Sequence, residues 1–391
     1  MVLNEIKKDK ILILLLFLLF SSYILSFTKL PQSSIFYFLK FALSLIFIVV
    51  YILLNKSKIK ISKENTILFS TLAVFSGIPI FFNATISNIV SFILLVVIYL
   101  PFIFIIFPNI NKELMEKVLS IMYLSLFLFL FLPSIFLSFF NDNYYLQSNR
   151  YRFISYFNNP NELAQFCLVF FLLSFYYAFT SNTRINRKII SLLFSIISVY
   201  IIYLTDSRAV FLAVIVFVLF YVITSIFHFE KKQKSLMFLV ILIIIMLILF
   251  SNNIFENNKN FLSYIDTLSS HRLSIWQDIL SYDNLIFLFF GGFLQTHPQY
   301  QVITNAYVEL FGKFGLIGLT LWCASVIKFL TNKNKTTKFD KYKTAIIFTY
   351  LLYYLFESGL SSIVNISSFF FWFMVSTDQL SNKKYYVEEN N

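Results

Sequence analysis

The chain has 391 residues, 59% of them apolar and 13% charged, with a formal net charge of +12. That composition leaves too little polar surface to cover a globule in water, so a soluble domain is excluded and lipid is the expected solvent. The positive charge alone fits a nucleic-acid binder, and whether it points to one depends on where the charges fall along the chain.

Apolar runs recur throughout, each close to the ~20 residues a helix needs to cross a hydrocarbon core ~30 Å thick. They predict twelve spans, near 11–27, 35–54, 66–83, 89–108, 118–140, 163–180, 189–205, 210–228, 235–251, 303–327, 344–359 and 361–377. Helices are expected despite the many β-branched residues, because backbone facing lipid must satisfy its own hydrogen bonds. The first run follows the basic stretch EIKKDK, and no small-residue cleavage site comes after it, so it reads as a span and not as a secretory signal. Cys167 and Cys323 both lie within apolar runs, where inert buried thiols are expected rather than a disulfide or metal site. The expected fold is therefore all-α. It is a single polytopic transmembrane helical domain over 1–391, with a larger extracytoplasmic loop at 252–302 between the ninth and tenth spans and a second outer loop at 141–162.

Placing the amino terminus in the cytoplasm puts 23 of the 31 basic residues on that side and six outside. The asymmetry alternates loop by loop, which supports both the count and an orientation with both termini cytoplasmic. It also removes the nucleic-acid reading, since a positive inner face is the ordinary topology signal.

Lysine dominates inside, yet four of the six outer basic residues are arginine: Arg150 and Arg152 in SNRYRFISYF, Arg208 in LTDSRAVF and Arg272 in HRLSIWQDIL. Arginine stays charged and presents a planar fork that binds phosphate bidentately, so it suits a diphosphate at a membrane surface. Pairing with Asp142, Asp206, Asp278 or lipid headgroups is the alternative. The connection TDSRA is very short and holds Arg208 at the membrane boundary, where an ionisable group usually faces a cavity or a partner. Arg272 and its neighbour His271 belong to a segment in which Leu273, Trp276 and Leu280 recur at helical spacing, the pattern of a helix lying on the bilayer.

Within the spans, Asn305, Glu309 and Lys313 fall on one helical stripe in the order that favours a Glu309–Lys313 ion pair. That pair reads equally as a structural tie and as part of a site. Five of the seven glycines lie between Gly291 and Gly318, and Gly312, Gly315 and Gly318 predict close packing of that helix on a neighbour. Glu357 has no evident local partner and is expected near the outer boundary or in a polar cavity. The sequence has no phosphate-binding glycine loop, no D-x-D carboxylate pair and no His/Cys cluster at metal spacing, so neither a metal nor a cofactor is expected. Of the three histidines, His297 and His271 lie on the outer side, where the unperturbed pKa of imidazole suits a neutral-pH base.

Taken in order, YFNNPNELAQF, LTDSRAVFLAV, HRLSIWQDIL followed by LFFGGF, and TNAYVELFGKFGLIG resemble the O-antigen polymerase and ligase family of bacterial envelope glycan assembly. In motif terms the resemblance covers roughly residues 150 to 320. It implies a glycosyltransferase of the bacterial cytoplasmic membrane that works on its outer face. The donor would be an oligosaccharide on undecaprenyl pyrophosphate. The acceptor would be another lipid-linked repeat for a polymerase, or lipid A core for a ligase, and a chain-length regulator protein would be a further partner. From the residues themselves, Arg208, Arg272 and His297 are the expected catalytic residues, and Arg150, Arg152, His271, Asn305, Glu309 and Glu357 the expected substrate contacts. The ligase pattern places a histidine where this chain has Thr304, ahead of Asn305, Gly315 and Gly318. Threonine cannot serve as a neutral-pH base, so the polymerase is the leading expectation. A ligase, and a flippase or transporter of the same lipid-linked sugars, are the alternatives.

Overall fold

The computed structural model describes residues 2–81, 84–140, 143–147, 150–226, 279, 285–292, 305–331, 337–358 and 365–377. Helices cover most of them. In chain order they are α1 (Val2–Leu25), α2 (Ser33–Asn55), α3 (Lys63–Phe81), α4 (Asn88–Asn109) and α5 (Lys112–Leu137). A two-stranded hairpin follows, β1 (Tyr144–Gln147) and β2 (Arg150–Phe153). The chain continues with α6 (Pro160–Thr180), α7 (Ile185–Leu204) and α8 (Arg208–Ile226). The last described helices are α9 (Leu285–Phe290), α10 (Ala306–Thr331), α11 (Lys338–Tyr353) and α12 (Ile366–Ser376).

Among the described residues, eight helices are long and apolar enough to cross a membrane: α2 to α8 and α10. The expected span at 235–251 lies outside the described residues, as does most of the expected 252–302 loop. α12 has 11 residues, too few to cross a ~30 Å core at ~1.5 Å per residue, and all 11 are buried. Among the described residues, the antiparallel hairpin, in which Tyr145 pairs with Arg152 and Gln147 with Arg150, and an isolated antiparallel bridge between Thr28 and Phe157 depart from an all-helical description.

Polar residues at the helix starts explain where the helices begin. Ser62, Asn111 and Asn159 each accept a hydrogen bond from a backbone N–H of the first turn, and Thr337 and Asp340 form a reciprocal capping box. α4 loosens into π turns at Leu95–Tyr99 and Phe102–Ile106, on either side of Pro101. A proline there lacks the N–H the regular ladder needs and its ring clashes with the preceding turn.

α6 is the central helix: 89% of its span is buried, against 28% for α7 and α8. It packs against α5, α7, α8 and α12, while α1 pairs with α2 and α5, and α8 with α11. The outward stripe of α7 is apolar, with Ile189, Leu193, Ile196, Tyr200 and Tyr203 all more than half exposed. A face of that kind is at home in lipid and not in water.

The connections segregate to two ends. At the lysine end, the Lys117 ammonium donates to Asp9 at 2.6 Å and to Glu113 at 2.7 Å, Tyr51 donates to the Asn109 carbonyl at 2.9 Å, and Lys328 pairs with Asn65. At the arginine end, the backbone N–H of Lys29 donates to the Tyr156 carbonyl at 2.8 Å, and that of Asn158 to the Phe27 carbonyl at 3.1 Å. These bonds fasten the α1–α2 connection to the segment between β2 and α6.

Candidate functional site

The residues expected to carry chemistry gather at the arginine end wherever they are described. The first turns of α6 organise them. Pro160 occupies the first helical position, where its missing N–H costs nothing, and Asn159 caps the helix by accepting from Asn161 N–H at 2.9 Å. The side chains of Asn161, Glu162 and Gln165 then fan out toward three neighbours.

Asn161 takes the arginine. The Arg152 guanidinium donates from Nη2 to Asn161 Oδ1 at 2.6 Å and from Nε to the Thr205 carbonyl at 2.8 Å. Thr205 belongs to the tight turn between α7 and α8, where Asp206 adopts a left-handed φ of 50°. Arg208 opens α8 just beyond that turn and is exposed. Arg152 therefore braces the turn that presents Arg208, and Arg150 is the first residue of β2 on the same hairpin. Burial pushes the Tyr156 phenol, in the link from β2 to α6, above its ordinary range.

Gln165 takes the carboxylate. Its Nε2 donates to Glu357 Oε2 at 3.3 Å, and its Oε1 accepts from Asn365 Nδ2 at 2.7 Å. Asn365 in turn caps α12 by accepting from Ser367 N–H at 2.9 Å. Glu357 is 7% exposed, and Ala306 N–H donates to its carbonyl at 3.0 Å and to that of Tyr354 at 2.9 Å. The start of α10 is thus pinned to the α11–α12 connection.

Asn305 caps α10, accepting from the N–H groups of Tyr307 and Val308 at 2.9 and 3.1 Å. Among the described residues its Nδ2 is buried with no hydrogen-bond partner. The buried Tyr353 hydroxyl lies beside Gln165 and Glu357. A buried amide donor normally has a polar partner, so one is expected at Asn305 Nδ2. One turn into α10, Glu309 pairs with Lys313 at 2.5 Å.

α10 is broken. Gly315 has φ 67° and ψ −169°, and a Cβ there would lie 2.4 Å from the Phe289 backbone. A Cβ on Gly291 would reciprocally lie 2.4 Å from the Lys313 carbonyl oxygen, while Gly292 N–H donates to that same oxygen at 3.2 Å. Of the three glycines expected to allow close packing, Gly315 does so against residues 285–292 and also ends the regular ladder, whereas a Cβ on Gly318 would meet Phe314 of its own helix. The freed carbonyl is satisfied by protein, as irregular backbone at membrane depth requires.

A second charged group sits nearby and was not among the expected site residues. Lys40, 1% exposed in α2, donates to Ser26 Oγ at 3.3 Å and lies over Tyr37 at 4.1 Å and Phe27 at 4.8 Å. Glu162, on the first turn of α6, is its electrostatic counterpart, with one carboxylate oxygen buried and, among the described residues, without a hydrogen bond. The sequence signal was a lysine inside an apolar run, which is a functional or paired residue by default.

His271, Arg272, His297 and Thr304 lie outside the described residues. Among the described residues, no three His, Cys, Asp or Glu side chains are grouped to hold a metal ion. The arrangement is that of a helical membrane protein with a polar, arginine-rimmed end. No family model, no curated protein and no solved structure matches the chain.

Proposed function

We propose that this protein is a bacterial cytoplasmic-membrane glycosyltransferase that polymerises undecaprenyl-pyrophosphate-linked oligosaccharide repeats into surface polysaccharide. It would cross the membrane about twelve times with both termini cytoplasmic, and the arginine end would face outward. The observation that supports this reading most is the juxtaposition made by α6: a braced arginine rim through Asn161 and a buried carboxylate through Gln165. Glycosyl transfer from a lipid diphosphate needs cationic donors for the leaving group and a polar partner for the acceptor hydroxyl, and Asn161 and Gln165, one helical turn apart, hold one of each. Residues 159–165 of the quoted stretch YFNNPNELAQF supply that turn, which links the sequence resemblance to the geometry.

In this reading Arg208 and Arg272, with Arg150, bind the diphosphate, and His271 and His297 belong to the same outer surface. The product is a lengthened lipid-linked glycan and free lipid diphosphate. Glycan length analysis of a deletion strain tests it. Single repeats and no polymer are expected, restored to full length by the wild-type chain and not by Arg208→Lys, because a point charge does not replace the fork. Long polymer left unattached to lipid A core would favour a ligase instead.

The break in α10 favours a second reading, since discontinuous helices are common where transporters bind substrate. A flippase for the same lipid-linked sugars would leave untransferred repeats on the cytoplasmic leaflet of the deletion strain.

A further inference from the structure

The hydrogen bonds around Glu357 form a chain whose direction is fixed at one end. Ser367 N–H can only donate, so the atom it meets on Asn365 is the carbonyl oxygen. That leaves Asn365 Nδ2 to donate to Gln165 Oε1, and leaves Gln165 Nε2 to donate to Glu357 Oε2. Each link dictates the next, and the chain delivers a donor to the carboxyl. Three helices, α6, α10 and α12, also begin at this end, capped by Asn159, Asn305 and Asn365. Helix N-termini carry partial positive charge and favour an anion beside them. The Glu357 carboxyl, 7% exposed, thus sits where a donor from Gln165 reaches it and where the N–H of Ala306, at the start of α10, meets its own carbonyl.

Its position adds a second constraint. Asn161 and Gln165 are four residues apart on α6, so their side chains share a face, with Cβ atoms about 5–6 Å apart. One holds the arginine bracing the Arg208 turn and the other holds Glu357. A diphosphate on the arginine rim and a hydroxyl at Glu357 would be neighbours along a single helix turn.

Resting on the glycosyltransferase reading, we propose that Glu357 is the general base of the transfer, taking the proton from the acceptor sugar hydroxyl, with Gln165 and Asn365 as positioning residues. The acceptor oxygen forms a bond to the anomeric carbon of the donor as the bond from that carbon to the diphosphate oxygen breaks. The electron pair leaves with the lipid diphosphate, held by the arginines, and the hydroxyl proton passes to the Glu357 carboxylate and then to water. This assigns to a buried carboxylate the role expected of His297.

The test uses the full chain reconstituted in vesicles with lipid-linked repeats extracted from the host's own membranes. Glu357→Gln keeps an acceptor for Gln165 and removes the base, so extension is expected to slow by about 100-fold or more, with donor binding unchanged. Glu357→Ala with added formate, a small carboxylate that can occupy the vacated volume, is expected to regain part of the rate. Glu357→Gln activity within threefold of wild type overturns the base assignment while leaving the glycosyltransferase reading intact. Lost donor binding together with no formate rescue overturns it as well, because that pattern belongs to a structural carboxylate. Wild-type protein that extends no lipid-diphosphate-linked repeat overturns the underlying reading and the proposal with it. If Glu357→Gln fails to accumulate, the formate arm decides alone.

Discussion

Asn161 and Gln165, one turn apart on the central helix α6, hold opposite charges: Asn161 accepts from the Arg152 guanidinium at 2.6 Å, and Gln165 donates to the Glu357 carboxylate at 3.3 Å. The helix therefore serves as a spacer that sets how far apart a cation and an anion stand. Arg152 is committed to this frame, whereas Arg208 is displayed by it.

The two arginines should respond differently to lysine. Arg152→Lys cannot reach both Thr205 and Asn161 with fork geometry, so it should destabilise the protein by about 1–3 kcal/mol. Thermal unfolding of the detergent-purified protein measures this. Arg208→Lys, at an exposed position, should leave the unfolding temperature unchanged while shortening the polymer.

Gly315→Ala meets two obstacles at once, a left-handed φ and the Phe289 backbone at 2.4 Å from the new Cβ. The cost should be about 3 kcal/mol or more, read as loss of folded protein in a size-exclusion assay. Gly291→Ala should fail comparably, and for the same crossing.

Lys40 in α2 and Glu162 on the first turn of α6 lie within electrostatic reach of each other. Lys40→Met alone should destabilise more than Lys40→Met combined with Glu162→Gln, with a coupling energy of about 1 kcal/mol or more in a double-mutant cycle. Additive single and double effects would show that the two charges do not interact.

The proposed sidedness predicts a labelling pattern. Cys167 is buried and should stay silent toward a membrane-impermeant maleimide. Tyr151→Cys, on the exposed hairpin of the arginine end, should label on intact cells, and Lys58→Cys only after permeabilisation. The reverse pattern would invert the orientation.

The helices were readable in the sequence because lipid imposes one rule on every span, so an apolar run of sufficient length is itself the signal. The hairpin was not. Its strands have four residues each, from Tyr144 to Gln147 and from Arg150 to Phe153, too short for alternation to stand out. Gly312, Gly315 and Gly318 were legible as a packing face, but nothing local distinguishes Gly315, where the ladder breaks, from the other two. Arg152, Asn305 and Glu357 stood out as charge or amide in unusual places. Gln165 did not, because its significance lies in Glu357 and Asn365, 192 and 200 residues away along the chain. Contacts at that separation are made by the packing of α6 against α12, not by any local pattern.

The Gly291–Gly315 crossing, finally, divides the chain's labour. Main chain meets main chain there, so residue 292 departs from a fixed address on the bundle whatever the stretch beyond it encodes. A single added carbon at either position would force the two segments apart, so the crossing sets where α9 lies against α10 to within the width of a methyl group.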